Sequence, residues 1–253
     1  MIKKGNKKQF GLIGKNIDYS FSRQYFTDKF KKEALKDYEY VNFDIKNIKE
    51  FAALMEKNEH PEGLNVTIPY KKQVIPFLNN ISHEAKAIGA VNTIVWDKNG
   101  QSTGHNTDYV GFEKSLLELT DKPLNRALIL GTGGASGAIK FVLDKLNCEV
   151  TFVSRTPKKK QLSYKTLDQT EIEKTDLIVN TTPLGTFPDI DKCPPIPYRW
   201  INKQHLLFDL IYNPEETLFL KKGKKEGAKT SNGHRMLLYQ AEKAWKLWNI
   251  KQI

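Results

Sequence analysis

The sequence predicts an α/β protein with two domains, and two patterns in its 253 residues carry that prediction. Up to about residue 105, short strands alternate with helical segments, which favours a mostly parallel sheet. Beyond it, continuous apolar runs such as Arg126–Leu130 surround a glycine-rich turn, as strands covered on both faces do. We expect a mostly parallel α/β domain at 1–105, a doubly wound, Rossmann-type domain at 106–232, and a C-terminal helix at 233–253 that returns to the first domain.

The first domain begins with the alternating elements. Its predicted strands are Phe10–Gly14, Tyr38–Asp44 and Leu64–Ile68, and the helices between them are Ser22–Leu35 and Ile48–Lys57. Two further short runs, Thr93–Trp96 and Gln101–His105, are separated by a turn that contains Asn-Gly. Asn-Gly between strands is a strong hairpin signal, so an antiparallel element should extend the sheet.

The stretch GLNVTIPYKKQV, residues 63–74, is unusually polar for part of a sheet. Apolar and polar residues alternate in it as far as Ile68, which is the period of a half-buried strand. Pro69 then ends the strand, and a helix with proline at its first position is predicted over Tyr70–Leu78. This corner collects an amide, a hydroxyl and an ammonium group, from Asn65, Thr67 and Lys71.

The second domain follows a helix predicted at about Thr107–Leu119. Short, continuously apolar segments predict its parallel strands. These segments are Arg126–Leu130, Glu149–Val153, Asp176–Asn180 and Leu206–Leu210. After the first of them, apolar residues recur at the spacing of one helix face, at Ile139, Val142, Leu143 and Leu146.

The glycine-rich turn GTGGASG lies between the first strand and the first helix of this domain. In that context Gly131, Gly133 and Gly134 permit a tight turn and let a pyrophosphate approach backbone N–H groups at a helix N-terminus. Glycines also occur in turns for backbone reasons alone. The strand–turn–helix setting favours dinucleotide binding.

The next strand ends in VSRTPKKK, where an NAD-preferring site normally places a carboxylate for the ribose 2′-hydroxyl. Ser154, Arg155 and Thr156 stand there instead, followed by lysines. An arginine can bind a phosphate through two parallel hydrogen bonds. The alternative is a solvated basic loop; the segment favours NADP over NAD.

Four polar clusters remain, each just after a strand or at a helix start, where ligand sites of open α/β sheets collect. They are Ser20 with Ser22, Asn65-Thr67-Lys71, Asn92, and Asn106 with Asp108. Each also has a structural explanation: Ser22 or Asp108 could cap a helix, and Asn92 could serve a turn. Together they suit a small polyhydroxylated acid.

Composition narrows the possible partners. The net charge is +11, but the lysines are scattered and no nucleic-acid-binding signature accompanies them, so no nucleic-acid partner is expected. The chain has no apolar run long enough for a membrane span and no apolar stretch of secretory length at its start. Two distant cysteines, Cys148 and Cys193, fit cytoplasmic thiols, and no metal site is expected.

The sequence resembles the shikimate dehydrogenase family over nearly its whole length. The matching segments are SFS after GLIG, NVTIPYK, IGAVNT, GHNTDYVGF, GTGGASG, VSRT, NTTPLG, DLIYNP and NGHRMLLYQA, in the family's order. The resemblance implies reduction of 3-dehydroshikimate to shikimate with NADPH, in the pathway to aromatic amino acids. NADP(H) is then the cofactor, and the small-molecule substrate is shikimate or 3-dehydroshikimate.

The resemblance also implies roles for particular residues. Lys71 and Asp108 correspond to the family's catalytic pair. The implied substrate contacts are Ser20, Ser22, Thr67, Asn92, Tyr212 and Gln240. The implied cofactor contacts are Gly131, Gly133, Gly134 and Ala135 in the turn, Ser154, Arg155, Thr156 and Lys158 after the second strand, Asn180, Thr181 and Thr182 after the third, and Gly233 and Met236 near the last helix.

The sequence differs from the family's usual residues at several positions. These differences bear on the implied cofactor preference more than on the implied catalytic pair. Arg23 stands where the family often has proline, Ser154 replaces a usual asparagine, and Gly137 sits where a basic residue is frequent. Three alternatives stay open: an NAD-dependent quinate/shikimate dehydrogenase, a catalytically inactive binding or regulatory protein, and a nucleic-acid binder suggested by the net charge. The oligomeric state is expected to be monomer or homodimer.

Overall fold

The computed structural model describes residues 7–18, 20–55 and 60–249. The chain divides into two compact units, residues 1–107 with 241–253 and residues 108–240. The sequence prediction had placed these divisions at 105/106 and 232/233. The second differs because the last helix is continuous, and its first turns belong with the second unit.

The first unit contains a six-stranded mixed sheet. Its elements are β1 (Lys8–Gly14), α1 (Phe21–Lys32), β2 (Tyr38–Asp44), α2 (Lys49–Met55), β3 (Gly63–Val66), β4 (Asn80–Ile81), α3 (His83–Ile88), β5 (Thr93–Trp96) and β6 (Ser102–His105). The strand order is β2-β1-β3-β5-β6-β4, with β1 parallel to β2 and β3 and with β5 antiparallel to β3 and β6. The predicted hairpin is therefore confirmed as β5–β6. The last two residues of the predicted helix 48–57 lie outside the described part of the chain.

The second unit contains a six-stranded sheet in which all strands are parallel. Its elements are α4 (Asp108–Leu119), β7 (Arg126–Leu130), α5 (Ser136–Lys145), β8 (Glu149–Ser154), β9 (Leu162–Ser163), α6 (Gln169–Glu173), β10 (Leu177–Asn180), β11 (Leu206–Asp209), α7 (Leu218–Lys225), β12 (Lys229–Ser231) and α8 (His234–Asn249). The order β12-β11-β10-β7-β8-β9 is the 3-2-1-4-5-6 order of doubly wound dinucleotide-binding folds, read from the other edge. The doubly wound prediction is confirmed.

The helix predicted over Tyr70–Leu78 is wrong. The segment consists of turns and a short 3₁₀ helix, Ile75–Phe77. Pro76 has no N–H to donate, and in an α-helix its ring would clash with the carbonyl four residues earlier. The buried Tyr70 side chain anchors the segment by donating from its hydroxyl to the carbonyl of Ile45 at 2.7 Å. Lys71 consequently lies on a turn.

The strand before this segment is also shorter than predicted. β3 ends at Val66, and the side chain of Ile68, the last residue of the predicted strand, is 69% exposed. The backbone N–H of Thr67 still donates to the carbonyl of Ile13 on β1, but Pro69 has no N–H with which to continue the ladder. Both faces of β3 are buried, so the prediction of a half-buried strand is wrong as well.

Each unit has its own hydrophobic core. In the first unit, Phe51 and Tyr70 pack on one group of strand residues, while Trp248 and neighbouring residues of α8 pack with Phe10 and Phe26 in a second cluster. The indole N–H of Trp248 also donates to the carbonyl of Ile94. In the second unit, clusters of apolar side chains from strands and helices cover both faces of the parallel sheet. No helix within the described residues is long and apolar enough to cross a bilayer.

Candidate active site

One edge of the first sheet gathers most of its candidate site residues. The parallel strands β1 and β3 end at this edge. Because β5 is antiparallel to β3, and β6 to β5, β5 begins there and β6 ends there, with Thr93 paired to both Asn65 and His105. The segments after β1, β3 and β6 and before β5 therefore meet at the same edge, as ligand-binding segments do in open α/β sheets.

Ser20 and Ser22 lie in the segment after β1, at the N-terminus of α1. Ser20 occupies the N-cap position in extended conformation, but its side chain makes no capping hydrogen bond. Ser22 lies inside the first turn, so the structural alternative that Ser22 is the N-cap is wrong. Both residues are half-buried.

Thr67 and Lys71 follow β3 at the same edge. Both residues are half-buried. The carbonyl of Lys71 accepts a hydrogen bond of 2.8 Å from the N–H of Val91, the residue before Asn92. The turn that carries the Lys71 ammonium is thereby fixed beside the segment that carries the Asn92 amide.

Asn92 is buried and organises the connection that leaves β6. Its Oδ1 accepts from the N–H of Thr107 at 2.7 Å, and its Nδ2 donates to the Thr107 hydroxyl at 3.0 Å. Asn106 is buried as well, and its Nδ2 donates to the carbonyl of Ala90 at 3.0 Å. Thr107, which the sequence reasoning missed, is the residue immediately before Asp108.

A second polar layer lies behind this edge, and Tyr40 is its centre. The buried Tyr40 hydroxyl donates to Oδ1 of Asn65 at 2.8 Å, and Nδ2 of Asn65 donates to the hydroxyl of Thr93 at 3.3 Å. Burial raises the pKa of Tyr40 well above its ordinary value, against a smaller lowering effect of its hydrogen bond with Ser22. Asn65, singled out in the sequence, supports the fold here, and Tyr40 was missed.

In the second unit, Asp108 and Gln240 lie on two helices that pack closely. Asp108 is the buried first residue of α4, where a carboxylate is favoured by the helix dipole. A Cβ added at Gly111 would overlap the carbonyl of Met236 and approach Cβ of Gln240 to 3.2 Å. This close approach of α4 and α8 explains the glycine.

The glycine turn between β7 and α5 has the geometry that a dinucleotide requires. Gly131 has a φ of +101°, and a Cβ there would come within 3.0 Å of the Thr181 hydroxyl oxygen. Gly133 is exposed, and a Cβ there would meet nothing within 4 Å, so its backbone is open to a ligand. Ala135 occupies the N-cap of α5 without a side-chain cap, which leaves the first N–H groups of that helix for an anion.

The segment after β8 fits a phosphate-bearing ribose. Ser154 ends the strand, and its hydroxyl accepts from the N–H of Thr156 at 3.3 Å. Arg155, Thr156 and Lys158 are exposed. The position thus presents cations and hydroxyls and no carboxylate, which fits a 2′-phosphate better than a free 2′-hydroxyl.

The remaining candidates lie at the end of β10, in the segments after β10 and β11, just before α8, or in the first turn of α8. Asn180 is completely buried and bonded to Thr182 and Asp209, so its amide shapes the loop that carries the half-buried Thr181 and Thr182. Tyr212 is half-buried in the segment after β11. A Cβ at Gly233 would overlap the carbonyl of Leu210, and Met236 is packed in the core of the unit. Over the described residues, no group of three or more His, Cys, Asp or Glu side chains could hold a metal ion.

The doubly wound sheet and its open glycine turn define a class, the dinucleotide-binding α/β proteins. Residues 12–94 match the family described as the shikimate dehydrogenase substrate binding domain. The chain is 40% identical over 263 residues to an NADP⁺-dependent shikimate dehydrogenase of Methanococcus maripaludis, covering 95% of this chain and 91% of the relative. It belongs to the shikimate dehydrogenase family.

Solved structures of related enzymes share the whole fold. A crystal structure of a shikimate dehydrogenase in complex with NADP⁺ is 34% identical, with a TM-score of 0.87, over 96% of this chain and 90% of that one. The Thermus thermophilus enzyme in complex with NADP(H) and shikimate is 29% identical, with a TM-score of 0.84, over 95% and 92%. A quinate dehydrogenase from Corynebacterium glutamicum in complex with NAD is 26% identical, with a TM-score of 0.84, over 96% and 93%.

Proposed function

We propose that this protein is an NADP-dependent shikimate dehydrogenase, which interconverts 3-dehydroshikimate and shikimate. The observation that carries the proposal is the edge of the first sheet, where the fixed turn that carries Lys71 meets the segments that carry Ser20, Thr67 and Asn92. The chain belongs to a family whose members, by name, carry out this reaction. A small polyhydroxylated acid is the kind of ligand that this polar set would bind.

Lys71 is the proposed proton donor. In the reductive direction, the chemistry that NADPH would supply, held by the turn at Gly133 and by Arg155 and Lys158, is a hydride for the carbonyl carbon of the substrate. The electron pair of the carbonyl π bond then moves to the oxygen, which takes a proton from the Lys71 ammonium and becomes the hydroxyl of shikimate. In the oxidative direction, the neutral lysine accepts that proton. We propose Asp108 as the second member of the catalytic pair, which holds the lysine in place.

The remaining proposed substrate contacts come from both units, and in this proposal they bind and orient the substrate. Ser20 and Ser22 donate hydrogen bonds to the substrate carboxylate at the start of α1. Thr67, Asn92, Tyr212 and Gln240 contact the ring hydroxyls. Support comes from the half-buried Ser20 hydroxyl, which makes no capping bond with its own helix.

NADP(H) is the cofactor, and the chain's own residues fit it. The uncapped N-terminus of α5 and the open backbone at Gly133 suit a pyrophosphate. Arg155 and Lys158 are the proposed partners of the 2′-phosphate. A cytoplasmic location, in keeping with two unpaired cysteines, and a monomeric or homodimeric state remain predictions.

Initial rates with two substrates and two cofactors test this function. Wild-type protein is assayed with shikimate or quinate and with NADP⁺ or NAD⁺, and nicotinamide absorbance is followed. We expect shikimate with NADP⁺ to give the highest kcat/KM. A higher kcat/KM for quinate with NAD⁺ would favour the quinate dehydrogenase alternative. No oxidation of either substrate with either cofactor would leave only a binding or regulatory role.

A further inference from the structure

Asp209 is a buried carboxylate that the proposed reaction does not use. It is the last residue of β11, and none of its surface is exposed. The parallel register pairs it with Asn180, the last residue of β10. Burial of a charged carboxylate costs free energy unless donors satisfy it, so its hydrogen bonds indicate what it does.

Three donors converge on this carboxylate. Oδ1 accepts from Nδ2 of Asn180 and from the backbone N–H of Ile211, each at 3.0 Å, and Oδ2 accepts from the Thr217 hydroxyl at 2.6 Å. Thr217 is also the N-cap of α7 and accepts from the N–H of Leu220. One side chain therefore joins the end of β10, the segment after β11 and the start of α7.

Asn180 extends the network into the loop after β10. Its Oδ1 accepts from the N–H of Thr182 at 3.0 Å and from the Thr182 hydroxyl at 2.7 Å. An amide rotated by half a turn would direct its oxygen at the carboxylate and its NH₂ group at the N–H of Thr182. Asp209 thus determines which way the amide faces, and the amide determines where Thr182 lies.

The two loops held in this way carry proposed ligand contacts. Thr181 and Thr182 are the proposed cofactor contacts of one loop, and Tyr212 is the proposed substrate contact of the other. Asp209 itself is out of reach of any ligand because it is fully buried.

We propose that Asp209 is a positioning residue, which holds both loops in the conformation that orients cofactor and substrate for hydride transfer. The role of the loops rests on the proposed function. Burial raises the pKa of Asp209 to about 6, against the lowering effect of its three hydrogen bonds. Above neutral pH the ionised carboxylate can accept from all three donors at once.

Asp209→Asn tests the proposal, with Asp176→Asn as the matched control. Asp176 precedes β10 at the opposite edge of the same sheet and accepts from the N–H groups of Asn125 and Arg126 at 2.6 and 3.0 Å. The control therefore makes the same chemical change in the same unit without touching either loop. The readouts are the melting temperature, kcat and KM with shikimate and NADP⁺, and the Kd of NADP⁺ from fluorescence titration.

We expect Asp209→Asn to lower kcat/KM roughly ten- to hundredfold, because small displacements of bound reactants cost this much. The Kd of NADP⁺ should rise, and Asp176→Asn should leave both quantities near wild type. The proposal fails if both Asp209→Asn and Asp176→Asn change only the melting temperature. Asp209 would then support folding alone.

Two outcomes need a further comparison. If Asp209→Asn does not fold, Thr217→Val and Thr217→Ser replace it: the valine removes the donor to Oδ2 and should lose activity, whereas the serine keeps it. Equal activity of these two variants would overturn the proposal. If wild type oxidises no shikimate, the proposed function fails by itself, and the NADP⁺ titration of wild type and Asp209→Asn still decides whether Asp209 positions the Thr182 loop.

Discussion

Tyr40 lies behind the polar edge of the first sheet and hydrogen-bonds in two directions. Its hydroxyl donates to Asn65 and is in hydrogen-bond contact with Ser22, a proposed substrate contact. Through Asn65, the network continues to Thr93 at the start of β5. A single buried hydroxyl thus connects the segment after β1 with β3, which precedes Thr67, and with β5, which follows Asn92.

Tyr40→Phe should weaken both folding and substrate binding. The change removes only the hydroxyl oxygen from the core, but it leaves Oδ1 of Asn65 without this donor, which costs about 1–3 kcal/mol. The KM for shikimate should rise severalfold because Ser22 loses its fixed orientation, while kcat changes little. Urea denaturation and initial rates measure the two effects.

Tyr38→Phe is the control for this substitution. Tyr38 lies on the same strand, and its hydroxyl accepts from the exposed Lys8 at 3.3 Å. Loss of an exposed hydroxyl should have little effect on stability or KM. If Tyr40→Phe behaves like Tyr38→Phe in both assays, the network does not support the substrate site.

At the scale of single residues, the sequence indicated which polar residues belong to the candidate site. It did not indicate their hydrogen-bond partners. Asn65, Asn92 and Asn106 were identified as a polar group, yet their hydrogen bonds reach residues up to 28 positions away. No local pattern in the sequence indicates a hydrogen-bond partner so far along the chain. Asp209 could have been noticed, because a carboxylate at the end of an otherwise apolar parallel strand is unusual.

At the scale of the elements, two glycines in the turn between β7 and α5, Gly131 and Gly133, have different structural surroundings. Gly131 needs its glycine for folding, because its φ is positive and the space beside it is narrow. Gly133 has open space beside it, so folding does not demand a glycine there. We propose that the glycine at position 133 serves the close approach of a ligand.

Gly131→Ala and Gly133→Ala should therefore separate stability from cofactor binding. Gly131→Ala should destabilise the protein by more than about 1 kcal/mol, since alanine is strained at positive φ. Gly133→Ala should keep the wild-type melting temperature while the Kd of NADP⁺ rises, because a methyl group stands where the pyrophosphate approaches. Wild-type affinity for NADP⁺ in Gly133→Ala would contradict this placement of the cofactor.

Elements were predictable where one strong pattern decided them. The continuous apolar runs of the second unit became its central parallel strands, and Asn-Gly marked the β5–β6 turn. The segment 70–78 was not predictable in the same way, because Pro69 suggested a helix start while Pro76 prevented the helix from continuing. β3 ends at Val66, two residues earlier than predicted, because its end depends on pairing with neighbouring strands, which periodicity does not contain.

At the scale of the whole molecule, each unit has its own hydrophobic core. Each unit also has a sheet edge at which the carboxyl ends of parallel strands meet. The polar edge of the mixed sheet carries Lys71 and the proposed substrate contacts Ser20, Ser22, Thr67 and Asn92. Asp108, Tyr212, Gln240 and the glycine turn belong to the second unit. α8 contributes Met236 to the second core and Trp248 to the first. The motifs and their order along the chain predict the family, the doubly wound topology and the class of cofactor.

The kinetics of Lys71→Ala test the central claim most directly, with Lys72→Ala as control. Lys72 is the exposed neighbour on the same turn, so its removal changes net charge equally. With shikimate and NADP⁺, Lys71→Ala should lose about a hundred- to ten-thousandfold in kcat, since proton transfer contributes that much, while KM barely moves. Lys72→Ala should resemble wild type. A Lys71→Ala variant that keeps its kcat, or that changes only in KM, would contradict the assignment of Lys71 as the proton donor.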